Sequence, residues 1–294
     1  MSYSESFPAG GLVELSRAVY DQTPLAVAEI RPDVFVLSGA GGTVTGVGGS
    51  HGCAVIDTGY RTRVNEIRSR VRSSLQQEPR WLINTHWHFD HTDGNLAFVE
   101  QGATIAAHSN CRKRMSVDQY VQSLEWRVPA SPRAAWPTVT IDAPASIDLG
   151  TQTLELLTQE PAHTDGDVAV WLPATNVLVL GDLMTNGSYP VIDESSRGSL
   201  RGLIEALEGL MPLVNSDTVV VPGHGPIGNQ GSLIEFCEML RTVEGRIQPM
   251  VAASRSAAEV LASAPTADFD PVWGRGYVTG DIFVRMILAG IGLR

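Results

Sequence analysis

The chain has 294 residues, of which 43% are hydrophobic and 18% charged, and a formal net charge of −11. That length and apolar content suit a folded globular protein with a substantial core. The acidic balance argues against nucleic acid as a main partner, which needs clustered Lys and Arg, and no apolar run approaches the ~18 residues of a membrane span.

Met1–Gly10 lacks the basic start and apolar run of a secretory signal. The cysteines Cys53, Cys111 and Cys237 are scattered and form no CxxC pair. The expectation is a cytoplasmic protein with reduced thiols.

Residues 1–23 show weak periodicity and are expected to wrap the surface. From Leu25 the pattern turns to β: Ala26–Ile30, Val34–Ser38, Thr43–Val47 and Cys53–Asp57 are short β-branched or alternating runs. The glycine-rich piece Gly39–Gly52 lacks the spacing of a phosphate loop and leads into a strand, so hairpin turns are expected there. Tyr60–Gln77 carries Val64, Ile67, Val71 and Leu75 at helical spacing. Trp81-Leu82-Ile83 then reads as a short buried strand. Thr92–Glu100 is expected to be helical, Thr104–Ala107 a strand, and Asn110–Arg127 a helical segment. Pro129–Pro137, with three prolines, is a loop that could line a substrate entrance.

The second half starts with Ser146–Leu149 and Thr153–Thr158, followed by Val168–Leu172 and Val177–Leu180, all strand-like. Ser199–Leu213 is helical, Thr218–Val221 a strand, and Gly231–Ala262 mostly helical. Thr279–Leu293 is an amphipathic helix whose apolar face is expected to serve the core, with a homodimer contact as the alternative. Strands then helices occur twice, before and after about residue 140. That order predicts an α/β (α+β) fold in which two β-layers are flanked by helices. It forms a single domain over 1–294, with a core at about 25–230 and a helical C-terminal extension at 231–294.

Between the strand Trp81–Ile83 and the next helix lies Thr85-His86-Trp87-His88-Phe89-Asp90-His91. Three imidazoles and a carboxylate within six positions, in a chain of seven histidines, are the side chains that bind divalent metals. Further ligands stand at the same kind of place, where strands open into loops. These are His163 between two strands, Asp182 after Val177–Leu180, and His224 in Pro222-Gly223-His224-Gly225. His51 and His108 fit no such place and are expected to be ordinary histidines.

Taken together, Asp57 in Val55-Ile56-Asp57-Thr58-Gly59, the His86–His91 block, His163, Asp182 and His224 resemble the five motifs of the metallo-β-lactamase superfamily. The resemblance covers about residues 25–230. It implies the metallo-β-lactamase fold, a four-layer αββα sandwich with two metals at one edge of its sheets. His86, His88 and His163 would hold one Zn²⁺, Asp90, His91 and His224 the second, and Asp182 would bridge them, with iron or manganese as other ions for the same set. An aspartate at 182 resembles the glyoxalase II-like and lactonase-like branches, whereas the lactamases have cysteine or serine there.

The activity so implied is a dinuclear zinc hydrolase cleaving a small-molecule ester, lactone, thioester or amide. Asp90 is the candidate to orient the attacking water and carry its proton. Asp57, Thr85 and Thr164 are candidates for bonds that fix the imidazoles from behind. In the loop after Asp182, Tyr189 could donate to an oxyanion and Arg197 could grip a substrate carboxylate. Two alternatives stay open: a β-lactamase-type cyclic amide hydrolase, and a mononuclear iron enzyme resembling a persulfide dioxygenase. A small-molecule substrate is the expected partner in each case, with no nucleic acid and no membrane.

Overall fold

The computed structural model describes residues 17, 18, 20–121 and 125–293, so most of the expectation for residues 1–23 lies outside the described residues. The chain opens with an antiparallel meander of β1 (Ala26–Arg31), β2 (Val34–Ser38), β3 (Val44–Gly49) and β4 (Gly52–Ile56). Parallel strands β5 (Trp81–Ile83), β6 (Thr104–His108) and, after the small hairpin β7 (Gln119–Val121) and β8 (Trp126–Val128), β9 (Val139–Ile141) extend that sheet. The second sheet runs in chain order from β10 (Ala145–Asp148) through β11 (Thr153–Thr158), β12 (Val168–Leu172) and β13 (Val177–Thr185) to β14 (Val219–His224). Its last pair is parallel.

The two sheets face each other across one apolar core. Val36, Ile56, Ile83 and Ala106 from the first meet Leu154, Val170, Val179 and Val221 from the second. The far side of the first sheet is covered by the helix Val64–Leu75, which buries Val64, Ile67, Val71 and Leu75, the four positions picked out by the 3.6-residue period. The far side of the second is covered by helices Leu200–Leu210, Gln230–Ala252 and Gly280–Gly290. A helix–sheet–sheet–helix sandwich results, because each sheet is apolar on both faces and needs cover on both. Among the described residues no helix is long and apolar enough to cross a membrane.

Three stretches differ from the sequence expectation. The helix predicted over Asn110–Arg127 ends at Met115, and Gln119–Val121 pairs with Trp126–Val128 instead. β-branched and aromatic residues there pack better on a pleated hairpin than along a helix. Strand β9, hidden behind the prolines, supplies the edge of the first sheet. Strand β13 runs beyond Leu180 to Thr185, and its pairing with β14 shifts register around Gly181. Such an irregularity turns the following side chain, Asp182, out of the regular alternation.

The C-terminal helix belongs to this core. Its Phe283 is fully buried and stacks on Tyr189 with ring centroids 4.9 Å apart. Phe283→Ala should therefore cost about 3–5 kcal/mol, measured as a lower urea midpoint. A cost under about 1 kcal/mol, the range of surface changes, would show that the helix is not part of the cooperative unit.

Candidate metal centre

Seven side chains converge where β5, β13 and β14 end beside the loop after β11. Both oxygens of Asp182 face imidazoles. Oδ2 lies 4.0 Å from His86 Nε2 and 3.7 Å from His163 Nε2, whereas Oδ1 lies 3.1 Å from His91 Nε2 and 3.4 Å from His224 Nε2. Asp90 Oδ2 stands 3.2 Å from His224 Nε2 and 3.7 Å from His91 Nε2. The ligand atoms thus form two groups, His86, His88, His163 and Asp182 on one side and Asp90, His91 and His224 on the other. Asp182 reaches into both.

Each imidazole of the first group is fixed from behind, and the fixing partner sets its tautomer. The Val191 carbonyl can only accept, so His163 Nδ1 donates to it at 2.7 Å and Nε2 keeps its lone pair. The Asp193 carboxylate likewise takes the proton of His88 Nε2 at 3.2 Å, leaving Nδ1 as the ligating atom. His88 Nδ1 and His163 Nε2 then point lone pairs at each other from 3.0 Å. No hydrogen bond can relieve that contact, but a cation between them can. Nitrogen ligands at the usual ~2.0–2.1 Å on a tetrahedral zinc lie about 3.3 Å apart, so the spacing fits.

Asp57 serves both groups. It accepts from the Thr85 amide at 2.9 Å, the Thr85 hydroxyl at 2.7 Å and His91 Nδ1 at 2.8 Å. With its proton committed to Asp57, the Thr85 hydroxyl accepts from His86 Nδ1 at 3.0 Å. One carboxylate so aims the Nε2 lone pairs of His86 and His91 inward. It does this from a left-handed backbone conformation, φ +59°, that a non-glycine residue seldom adopts. Neighbouring glycines make the room. A Cβ on Gly42 would stand 2.3 Å from the His91 ring, and one on Gly223 would stand 1.9 Å from Asp182 Oδ1.

Two buried atoms remain without a hydrogen-bond partner here, His86 Nε2 and Asp182 Oδ1. The His91 and His224 nitrogens are near Asp182 Oδ1 but poorly aimed at it. Buried polar atoms without partners are rare and costly, and both are satisfied if the residues hold cations. The charge balance agrees. Burial, with the crowding of His91 and His163, drives the basicity of His86 well down, and burial beside His88 brings the His163 pKa down to about 4. Those rings are neutral and ready to ligate. Burial opposes charge on His91 and His224 too, but nearby Asp182 and Asp90 overcome it and raise both. The same two carboxylates would favour a metal cation at those rings, in competition with protons.

Thr85 and Asp57 stand where the sequence expectation put them. Thr164 does not: its hydroxyl and amide both bond to Asp167, at 2.5 and 2.8 Å, tying the loop that carries His163. Tyr189 is also corrected. Its hydroxyl is committed to Asp270 at 2.9 Å and to the Thr266 carbonyl at 3.2 Å, so it is not available to an oxyanion. Arg197 is exposed on a left-handed turn and does not line the cleft. Pro129–Pro137 does not line it either.

The sequence reading missed Asp193 and the Val191 carbonyl, which orient two ligands from a loop without periodicity. It also missed a reciprocal amide pair, Asn84 with Asn95, that ties the two ends of the histidine loop at 3.1 and 2.8 Å. Asn84 and Asn95 flank the metal-ligand block, and that was the available signal.

Over this centre opens a cleft of about 500 Å³ that reaches His88, Asp90, Asp182 and His224. Tyr20, held by Arg63 through its carbonyl, packs on Tyr60 at 5.4 Å, and Tyr60 on Phe89 at 5.8 Å. Trp126, from the hairpin, meets Phe89 edge-on at 5.5 Å and stacks with Tyr277 at 6.1 Å. Five separate parts of the chain, at Tyr20, Tyr60, Phe89, Trp126 and Tyr277, thereby build its walls.

Residues 38–224 match the model of the Metallo-beta-lactamase superfamily. A type 2 metallo-beta-lactamase from Bacillus sp. (strain 170) is 23% identical over 198 residues, 65% of this chain and 70% of that one. An acyl-coenzyme A thioesterase from Bos taurus is 26% identical over 216 residues, 65% of this chain and 75% of that one. Among solved structures, a metallo-beta-lactamase from Pontibacter korlensis superposes with TM-score 0.61 at 24% identity, covering 74% of this chain and 99% of that one. A stereoselective inverting sec-alkylsulfatase from Pseudomonas sp. gives TM-score 0.68 at 14% identity, over 92% of this chain and 51% of that one.

If Asp193 orients His88, Asp193→Ala should weaken metal binding by about 10–100-fold, measured by competition with a chromophoric chelator. His108→Ala should leave it unchanged, because that ring caps a helix by accepting from the Asn110 amide, stands 3.8 Å from Asp142 and belongs to neither ligand group. Equal affinities for wild type and Asp193→Ala would reduce Asp193 to a turn residue.

Proposed function

The chain belongs to the metallo-beta-lactamase superfamily and is a metal-dependent hydrolase; from that premise we propose that it holds two zinc ions and cleaves a small-molecule ester, lactone, thioester or amide. The observation carrying this reading is Asp182, which presents one oxygen to each ligand group. Bound zinc supplies an activated water and polarises the substrate carbonyl.

The chain's own residues do the rest. His86, His88 and His163 are held in single tautomers by Thr85, Asp193 and the Val191 carbonyl, so no reorganisation is needed when substrate arrives. Asp90 lines the cleft beside His224. Burial opposes its ionisation, but His91 and His224 keep its carboxyl below the usual range. It is an acceptor on the substrate side, placed to take the proton of the attacking water and pass it to the leaving group. The aromatic walls limit the entry of bulk water, which strengthens each electrostatic contact.

The sequence similarity to a type 2 metallo-beta-lactamase favours a second reading, hydrolysis of a cyclic amide; the thioesterase similarity favours the first. Metal analysis followed by a panel of lactone, thioester, β-lactam and phosphodiester substrates separates them. About two zinc ions per chain, with lactone or thioester turnover ahead of β-lactam, is the expected outcome. One iron per chain with oxygen consumption would overturn the hydrolase reading. Asp182→Ala should lose metal and lower turnover by at least about a hundred-fold, more than loss of an outer partner costs. Full activity in that variant would remove the bridging role.

A further inference from the structure

The cleft walls carry information that the metal ligands do not. Tyr20, Tyr60, Phe89, Trp126, Tyr277 and Val278 surround the opening, and among the described residues lining it none is Lys or Arg. Basic side chains nearby in sequence do not line it. Arg127 lies over the Tyr120 ring at 4.6 Å, Arg63 bonds the Thr23 carbonyl and Glu66, and Arg275 is exposed without lining the cleft. The lining carboxylates, Asp90 and Asp182, are engaged with the histidines.

We infer that the acyl part of the substrate is apolar and uncharged, and that the aromatic wall of Trp126 and Tyr277 selects it. This rests on the hydrolase reading above. A cleft of about 500 Å³ has the size of a small-molecule site, where apolar walls supply affinity and a few polar groups fix orientation. An alkyl or aryl group set against these rings gains by leaving water. A carboxylate at the far end of the acyl chain would leave water and find no counter-charge, which is costly. In the reaction the water oxygen joins the carbonyl carbon, the acyl–oxygen bond breaks, and the water's proton goes to the departing alkoxide. Only the acyl group need sit between the walls.

The test uses the zinc-loaded full chain and 4-nitrophenyl esters sharing one leaving group: acetate, butanoate, hexanoate and the carboxylate-capped hemiglutarate. From butanoate to hexanoate kcat/KM should rise roughly fifteenfold, since each of the two added methylenes is worth about a factor of four when buried. The hemiglutarate should fall well below butanoate. Trp126→Ala should flatten the chain-length dependence with metal content unchanged. Tyr277 is 47% exposed, so Tyr277→Arg should fold even if Trp126→Ala does not, and it should shift preference toward the hemiglutarate. A flat chain-length series, or a hemiglutarate preferred by the wild type, would overturn the inference while leaving the hydrolase reading intact. If no ester turns over, the ester reading fails, and lactone, thioester and amide cleavage are decided by the substrate panel above. The cleft is then decided by tryptophan-fluorescence titration with the corresponding uncleaved amides, where tighter binding of the hexanoyl than the glutaryl compound supports the inference and the reverse overturns it.

Discussion

Lone pairs held against one another out of water are the constraint on which the rest depends. His88 Nδ1 and His163 Nε2 face each other at 3.0 Å, beside an Asp182 carboxylate whose two oxygens turn to the imidazoles of both groups. Without cations such a cluster is repulsive, and folding must hold it together. The bonds behind it serve that end. Asp57 grips Thr85 and His91, Asp193 and the Val191 carbonyl fix the other group, and the Asn84–Asn95 pair ties the loop ends.

The sandwich makes this affordable by placing the ligands at strand ends. Strands β5, β13 and β14 are anchored in a core shared by both sheets, so the loops they release start from fixed points. The strained φ of Asp57 and the register shift around Gly181 sit at these exits. Backbone irregularity of this kind persists where the surrounding structure over-determines it.

Chemistry and selectivity are drawn from different parts of the chain. The metal-binding groups come from the ends of strands in the two sheets, whereas much of the cleft wall, Tyr20, Trp126 and Tyr277, comes from the N-terminal segment, the β7–β8 hairpin and the segment preceding the last helix. Substitution in the walls can therefore alter what is accepted without touching the ligands.

The sequence by itself determined the sandwich and picked out the seven side chains that the fold gathers into two groups able to hold metal. Apolar periodicity and the local block His86–His91 are short-range signals, and His163, Asp182 and His224 stand in strand-end contexts readable one at a time. Only the tertiary structure decided the supporting contacts. Asp193 lies 105 positions from His88, and nothing in the intervening chain marks the pair. Tyr189 illustrates the same limit: it stands in the loop beside the metals, yet its hydroxyl is taken by Asp270, 81 positions away. The hairpin that presents Trp126 read as helix because its pairing partner, not its own propensity, fixes its state. Contacts that depend on where distant segments meet leave no local imprint, and the cleft is built almost wholly of such contacts.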